Sequence, residues 1–158
     1  MSAGHDRDGA RQLFDTLGQV LAGKITGRIS CVVTTPGTAR FDLRLGGTVV
    51  FDSLAMNLNI VAKVAVPFEF EFLLTLRAIG AAANFMGWGK FTSEALIGSP
   101  LPTVGGSGVV LVPYNSAPVV GGNFNSAAAQ TVDCFYTQTV ATGQLIVHQA
   151  LFESPRWE

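Results

Sequence analysis

Few residues in this chain have the types and spacing that chemistry needs. Glu69 and Glu71 lie two apart in an alternating run. On a β-strand that puts both carboxylates on one face about 7 Å apart, a separation a glycosidase can use for its acid and base. The same glutamates alternate with Phe68, Phe70 and Phe72, so they read more simply as the solvent or interface face of a strand whose other face is in a core. The histidines are His5, in a polar stretch, and His148, in a β-like run. For His148 the simpler reading is a half-buried strand residue bonded to a neighbour's backbone, not a catalytic base. No Cys-x-x-Cys, His-x-x-x-His or carboxylate cluster supplies a metal ligand set, and no cofactor is called for. Residues 18–24 satisfy the G-x-x-x-x-G-K spacing of a phosphate loop, but Ile25 stands where a Ser or Thr should hold magnesium. No strand precedes the run and no clear helix follows, so the spacing is coincidental. Gly105-Gly-Ser-Gly-Val109 lacks the last glycine of a nucleophile elbow and reads as a loop.

The composition narrows the classes further. The 158 residues carry 10 Lys+Arg and 11 Asp+Glu, with 13% charged and 48% hydrophobic residues. A net charge of −1 offers no basic footprint for nucleic acid or anionic lipid. Aromatics for base stacking are also missing, because Phe41, Phe51, Phe68, Phe70 and Phe72 alternate with polar residues as core positions do. The longest apolar stretch, 54–68, is interrupted by Asn57, Asn59, Lys63 and Pro67, too short and too broken for a membrane span. The polar N-terminus lacks the charged start and apolar stretch of a secretory signal. Cys31 and Cys134 are far apart in strand-like runs; one bridge could join them, but free buried thiols, as cytoplasmic synthesis would leave them, fit better. Low charge with high apolar content predicts that part of the surface is covered by other chains.

The elements that must position these residues are strands. In the run from Phe68 to Ala78, Phe68, Phe70, Phe72, Leu74 and Leu76 share one face, with Glu69, Glu71, Leu73, Thr75 and Arg77 on the other. Residues 40–45 alternate likewise, and Gly46-Gly47 turns them into 48–51, a hairpin. Further β-runs are 24–33, 57–66, 85–95, 108–112, 131–140 and 144–153. Glycine and proline clusters at 34–37, 97–102, 105–108 and 119–123 punctuate them. This rhythm predicts an all-β fold, an antiparallel β-sandwich of the jelly-roll kind with about eight strands. Leu13, Phe14, Leu17, Val20 and Leu21 have helical spacing, with Asp8 as N-cap, but Gly18 interrupts them and strand can equally begin at Val20. The division expected is therefore an N-terminal arm at 1–17, open to a short helix, and a sandwich domain at 18–158. Trp88, between Gly87 and Gly89, reads first as core packing and second as an interface anchor.

Several of these runs together resemble a family of tailed-bacteriophage structural proteins. The segments are Gly27-Arg-Ile-Ser30, Thr34-Thr-Pro-Gly-Thr38, Phe41-Asp-Leu-Arg-Leu-Gly-Gly47, Val49-Val-Phe51, Leu73-Leu-Thr-Leu-Arg-Ala-Ile-Gly80, Asn84-Phe-Met-Gly-Trp-Gly-Lys90, Thr131-Val-Asp133 and His148-Gln-Ala-Leu-Phe-Glu-Ser154. It is the ordered set, spanning 14–154, that is specific. The resemblance implies a jelly-roll virion component, made in the host cytoplasm, trimeric and without enzymatic activity. The leading expectation is a capsid decoration or cement protein that contacts itself and the major capsid protein or other virion proteins, with neither nucleic acid nor membrane touched directly. Leu13, Phe14, Leu17 and Trp88 are then the candidate anchoring residues, the arm docking into a groove or adding a strand. The alternative is a tail-tip or tail-fibre head domain that binds a host receptor through the loops at 97–106 and 114–125, with Tyr114, Asn115, Asn123 and Asn125 as contacts. A sugar-active enzyme would rest on Glu69 and Glu71 alone.

Overall fold

The alternating run at 68–78 becomes the middle of one sheet. The computed structural model describes residues 14, 16–31, 37–96, 108–139 and 143–154. Among these, nine strands follow in order: β1 (Val20–Cys31), β2 (Thr38–Leu45), β3 (Thr48–Asp52), β4 (Met56–Asn57), β5 (Lys63–Ala78), β6 (Asn84–Ser93), β7 (Val109–Val112), β8 (Val132–Gln138) and β9 (Gln144–Glu153). They form two antiparallel sheets packed as a sandwich. One runs β7-β6-β5-β1-β9. In the other, β2 is paired along one side by β8 and along the other by β3 and β4. The chain's first and last strands thus run together, β9 on β1 and β8 on β2, as the paired ribbon of a jelly roll does, while β5, β6 and β7 form a meander.

The core lies where the period of two points it. Phe68, Phe70, Phe72, Leu74 and Leu76 from β5 are all buried against Phe41, Leu43 and Leu45 of β2 and Phe85 and Phe91 of β6. The Phe41 ring is the hub: it stacks on Phe70 at 4.8 Å and meets Phe91 at 5.2 Å and Tyr136 at 5.0 Å. Such contacts add to the burial of about 150–250 Å² per ring. Gly27, in β1, is needed because a Cβ there would run into the Ile146 carbonyl of β9 and the Phe68 ring.

One side of the sandwich is tied shut by the segment that follows β7. The Gly121 amide donates to the Phe85 carbonyl of one sheet and the Gly122 amide to the Val49 carbonyl of the other. Ala83 and Phe124 exchange backbone hydrogen bonds beside them. Gly121 passes so close to Val50 that a Cβ would strike its carbonyl oxygen.

Four expectations meet the structure here. The run 57–66 is not one strand: Asn59 Oδ1 accepts from the Val61 amide, a side-chain-capped turn that splits off the two-residue β4. Residues 63–66 join β5, and the nine strands agree with the sandwich of about eight expected. The first strand begins at Val20, one of the two starts the sequence left open, and 16–18 form a turn. Phe14 does not belong to a free arm: it is buried edge-on against Phe85 at 5.1 Å and Phe124 at 5.9 Å. The rest of the arm at 1–13, Leu13 included, lies outside the described residues, as do 97–107. Trp88 is the fourth. It points outward and is 52% exposed, because the inner positions of β6 go to Phe85, Gly87, Gly89 and Phe91.

Cys31 and Cys134 are free thiols. Burial pushes the first up from its ordinary value and the second to about 12, which keeps both protonated and poorly nucleophilic. No helix among the described residues is long and apolar enough to cross a membrane.

Candidate functional site

The outer face of the five-stranded sheet is built from the alternate residues of five strands, so its pattern can be read off the pairing. One row crosses the sheet as Leu111, Lys90, Glu71, Lys24 and Leu151. The row on one side is Val109, Thr92, Glu69, Thr26 and Gln149. On the other side it is Trp88, Leu73, Ala22 and Glu153. Cross-strand neighbours on one face are about 4.5–5.5 Å apart at Cβ, close enough for each charge to find an opposite one. Lys24 Nζ lies 2.6 Å from Glu69 and 3.2 Å from Glu71, and Lys90 Nζ lies 3.0 Å from the other oxygen of Glu71. The two lysines and two glutamates neutralise each other within the face.

This lattice answers the question raised by the carboxylate pair. Hydrogen bonds from Lys90 and then Lys24 hold the Glu71 carboxyl below its ordinary value, and bonds to Glu69 and Glu71 raise the Lys24 ammonium. A glycosidase acid needs the reverse, a carboxyl kept protonated by burial. Bridged by both lysines, Glu71 is held toward its ionised form, the opposite of what that acid needs.

Around the lattice the face is apolar and uncovered. Leu73, Trp88, Leu111 and Leu151 are each about half exposed or more, Leu111 reaching 64%. Leu73, Trp88 and Leu151 meet the lattice residues in a depression of about 400 Å³. Leu17, also exposed, adjoins Leu73 and Trp88 in a second hollow. The chemistry available is that of a docking surface. An aromatic side chain and three leucines can be buried, and Lys24, Lys90, Glu69 and Glu71 among them are paired with one another. Among the described residues, Glu153 at the rim is the one charge outside the lattice in that depression.

No family model matches this chain. Neither does any curated protein or solved structure.

The remaining candidates are scattered. Tyr114 is only 8% exposed and belongs to the core, its hydroxyl 3.4 Å from the Asn57 amide nitrogen. That corrects its expected place in a contact loop. Asn123 is exposed but accepts from Asn84 at 3.4 Å. Asn125 Oδ1 accepts from the Ala127 amide within a turn, and Asn115 is exposed at φ 54°. Tyr114, Asn123 and Asn125 are thus each bonded within the chain, and Asn115 stands exposed beside them. His148 is not half-buried: it is the extra residue of a bulge opposite Thr26 and Gly27, it is exposed, and its Nε2 accepts from Arg28 Nε at 3.0 Å. The phosphate-loop spacing at 18–24 falls in a turn and the first residues of β1.

The leucines were not singled out from the sequence. Alternation placed Leu73 beside the glutamates, on the face opposite the phenylalanines. That was the available signal.

Proposed function

We propose that this chain is a structural subunit of a tailed-bacteriophage particle, a decoration or cement protein that clamps neighbouring major capsid subunits through the outer face of its five-stranded sheet. The observation that carries the docking role is that face itself: Trp88, Leu73, Leu111 and Leu151 lie bare around a charge lattice that is already neutral. Bare apolar area of this kind on a small sandwich fits a surface that is covered in use. The phage setting rests on the ordered segments from Gly27 to Ser154 and their resemblance to virion proteins. Work of this sort is mechanical. At about 25 cal/mol per Å² of apolar surface covered, many copies together offset the internal pressure of packed DNA.

The tail-tip alternative has less behind it, since Tyr114 is buried and Asn125 is used up in its own turn. The test compares particles with and without the protein. Particles lacking it are expected to release DNA at lower temperature, and the added wild-type protein restores the higher one. Equal release temperatures contradict the clamping role.

A further inference from the structure

β9 is the last strand of the five-stranded sheet among the described residues, paired to β1 on one side only. It is ten residues long, and its residues 144–153 include no Pro, Lys or Arg. Proteins usually protect a sheet edge with those residues, or keep the edge short, because its open backbone groups template another strand. β9 is also bare on both faces. Ile146 and Leu151 are exposed on the outer face, and Val147 is 49% exposed on the inner face. Among the described residues the other end strands are shorter: β7 has four residues, β3 five and β8 seven, and the outward Phe135 of β8 has the Arg44 guanidinium 4.1 Å from its ring centroid.

The bulge at His148 decides what β9 can pair with. Before it, Leu145 and Val147 point inward; after it, Ala150 and Phe152 do, because they pair with the inward Ile29, Gly27, Ile25 and Gly23. An antiparallel strand pair must place directly opposed residues on the same face. For two copies of β9 the register that does so is centred between His148 and Gln149. It opposes Leu145 with Phe152 and Val147 with Ala150 on the inner face, and Ile146 with Leu151 and Gln144 with Glu153 on the outer face. Apolar meets apolar in the first three of these pairings, the polar Gln144 meets Glu153, and no like charges meet. A register centred on His148 itself would set the inward Leu145 against the outward Leu151, so the extra residue selects the pairing.

From this we infer that the protein forms a two-fold dimer through antiparallel β9–β9 pairing in that register, making a continuous ten-stranded sheet. The contact is isologous, so it closes at two copies where the resemblance implies three. The axis stands perpendicular to the sheet. Both outer faces, with Trp88 and Leu73, therefore look the same way, and the dimer offers a doubled docking surface. The dimer forms in the purified protein and does not depend on the particle reading, so either can fail alone.

The test uses the full chain in sedimentation velocity at micromolar concentration, with two pairs of variants. Wild type is expected to sediment as a dimer. Ile146→Lys with Leu151→Lys opposes lysines at both outer positions and is expected to weaken the dimer about 100-fold or more. Ile146→Lys with Leu151→Glu restores opposite charges and the dimer. Separately, Ile146→Cys and Leu151→Cys should form an intermolecular disulfide under mild oxidation only when the two variants are mixed. A wild-type monomer or trimer overturns the inference, as does a dimer indifferent to the paired lysines. Cross-linking of either cysteine variant with itself, or none in the mixture, overturns the register.

Discussion

On the outer face of the four-stranded sheet, Arg44 lies over the Phe135 ring and holds Asp42 at 2.7 Å, and Arg40 pairs with Asp52 through its Nε at 2.8 Å. On the outer face of the five-stranded sheet, Lys24, Glu69, Glu71 and Lys90 pair among themselves and leave Leu73, Trp88, Leu111 and Leu151 bare. Both faces balance their charges. They differ in what the cations touch: in one sheet the Arg44 guanidinium also lies over Phe135, whose ring is still 45% exposed, while in the other the ammonium groups turn only toward Glu69 and Glu71. Exposed pairs of this kind add little to stability. The difference between the faces should therefore appear in binding.

The largest expected effect falls on what both faces share. Phe41→Ala removes the ring that Phe70, Phe91 and Tyr136 pack against, and should cost about 3–5 kcal/mol in urea unfolding, weakening both sheets alike. Next comes the contrast itself. On the proposed clamping role, Trp88→Ala should lower affinity for a capsid shell by about 2 kcal/mol, roughly 30-fold, at an unchanged unfolding midpoint. Phe135→Ala on the opposite face should stay within about twofold. Equal losses from the two would erase the distinction drawn between the faces. Gly121→Ala sharpens it differently: the new methyl strikes the Val50 carbonyl where the following segment joins the two sheets. It should cost about 1–3 kcal/mol of stability, without selective loss of attachment.

The smallest effect is a pH dependence. Lys90 and Lys24 depress the Glu71 carboxyl in the folded state, so its contribution is fully present above the unfolded value near 4.3 and is lost as pH falls through the lower folded value. Wild type should exceed Glu71→Gln in stability at neutral pH, and the difference should close in acid. A gap that persists at low pH would mean that Glu71 acts through packing and not through its charge.

Much of this was legible before any coordinates. The alternation in 68–77 assigned both faces of β5, including the outward position of Leu73. The double glycine placed the β2–β3 turn. Trp88 was not legible in the same way, because its glycine neighbours carry no polarity to alternate with. Which face it joins is set by pairing to Leu73. Phe14 was separated from the fold by the turn at 16–18, although its ring reaches Phe85 across sequence. The bulge at His148 leaves no compositional trace either: Gln144–Glu153 looks like one unbroken strand until the partner register on β1 shows the extra residue. Long-range register is what sequence alone could not supply. The bare apolar face and the open edge both depend on it.

The most direct test of the central claim is a reconstruction of the phage particle at side-chain resolution. The account predicts many copies bound with the outer face of the five-stranded sheet against the shell and Trp88 buried in the contact. A copy seated on the Arg44–Phe135 face, with Trp88 open to solvent, would contradict it.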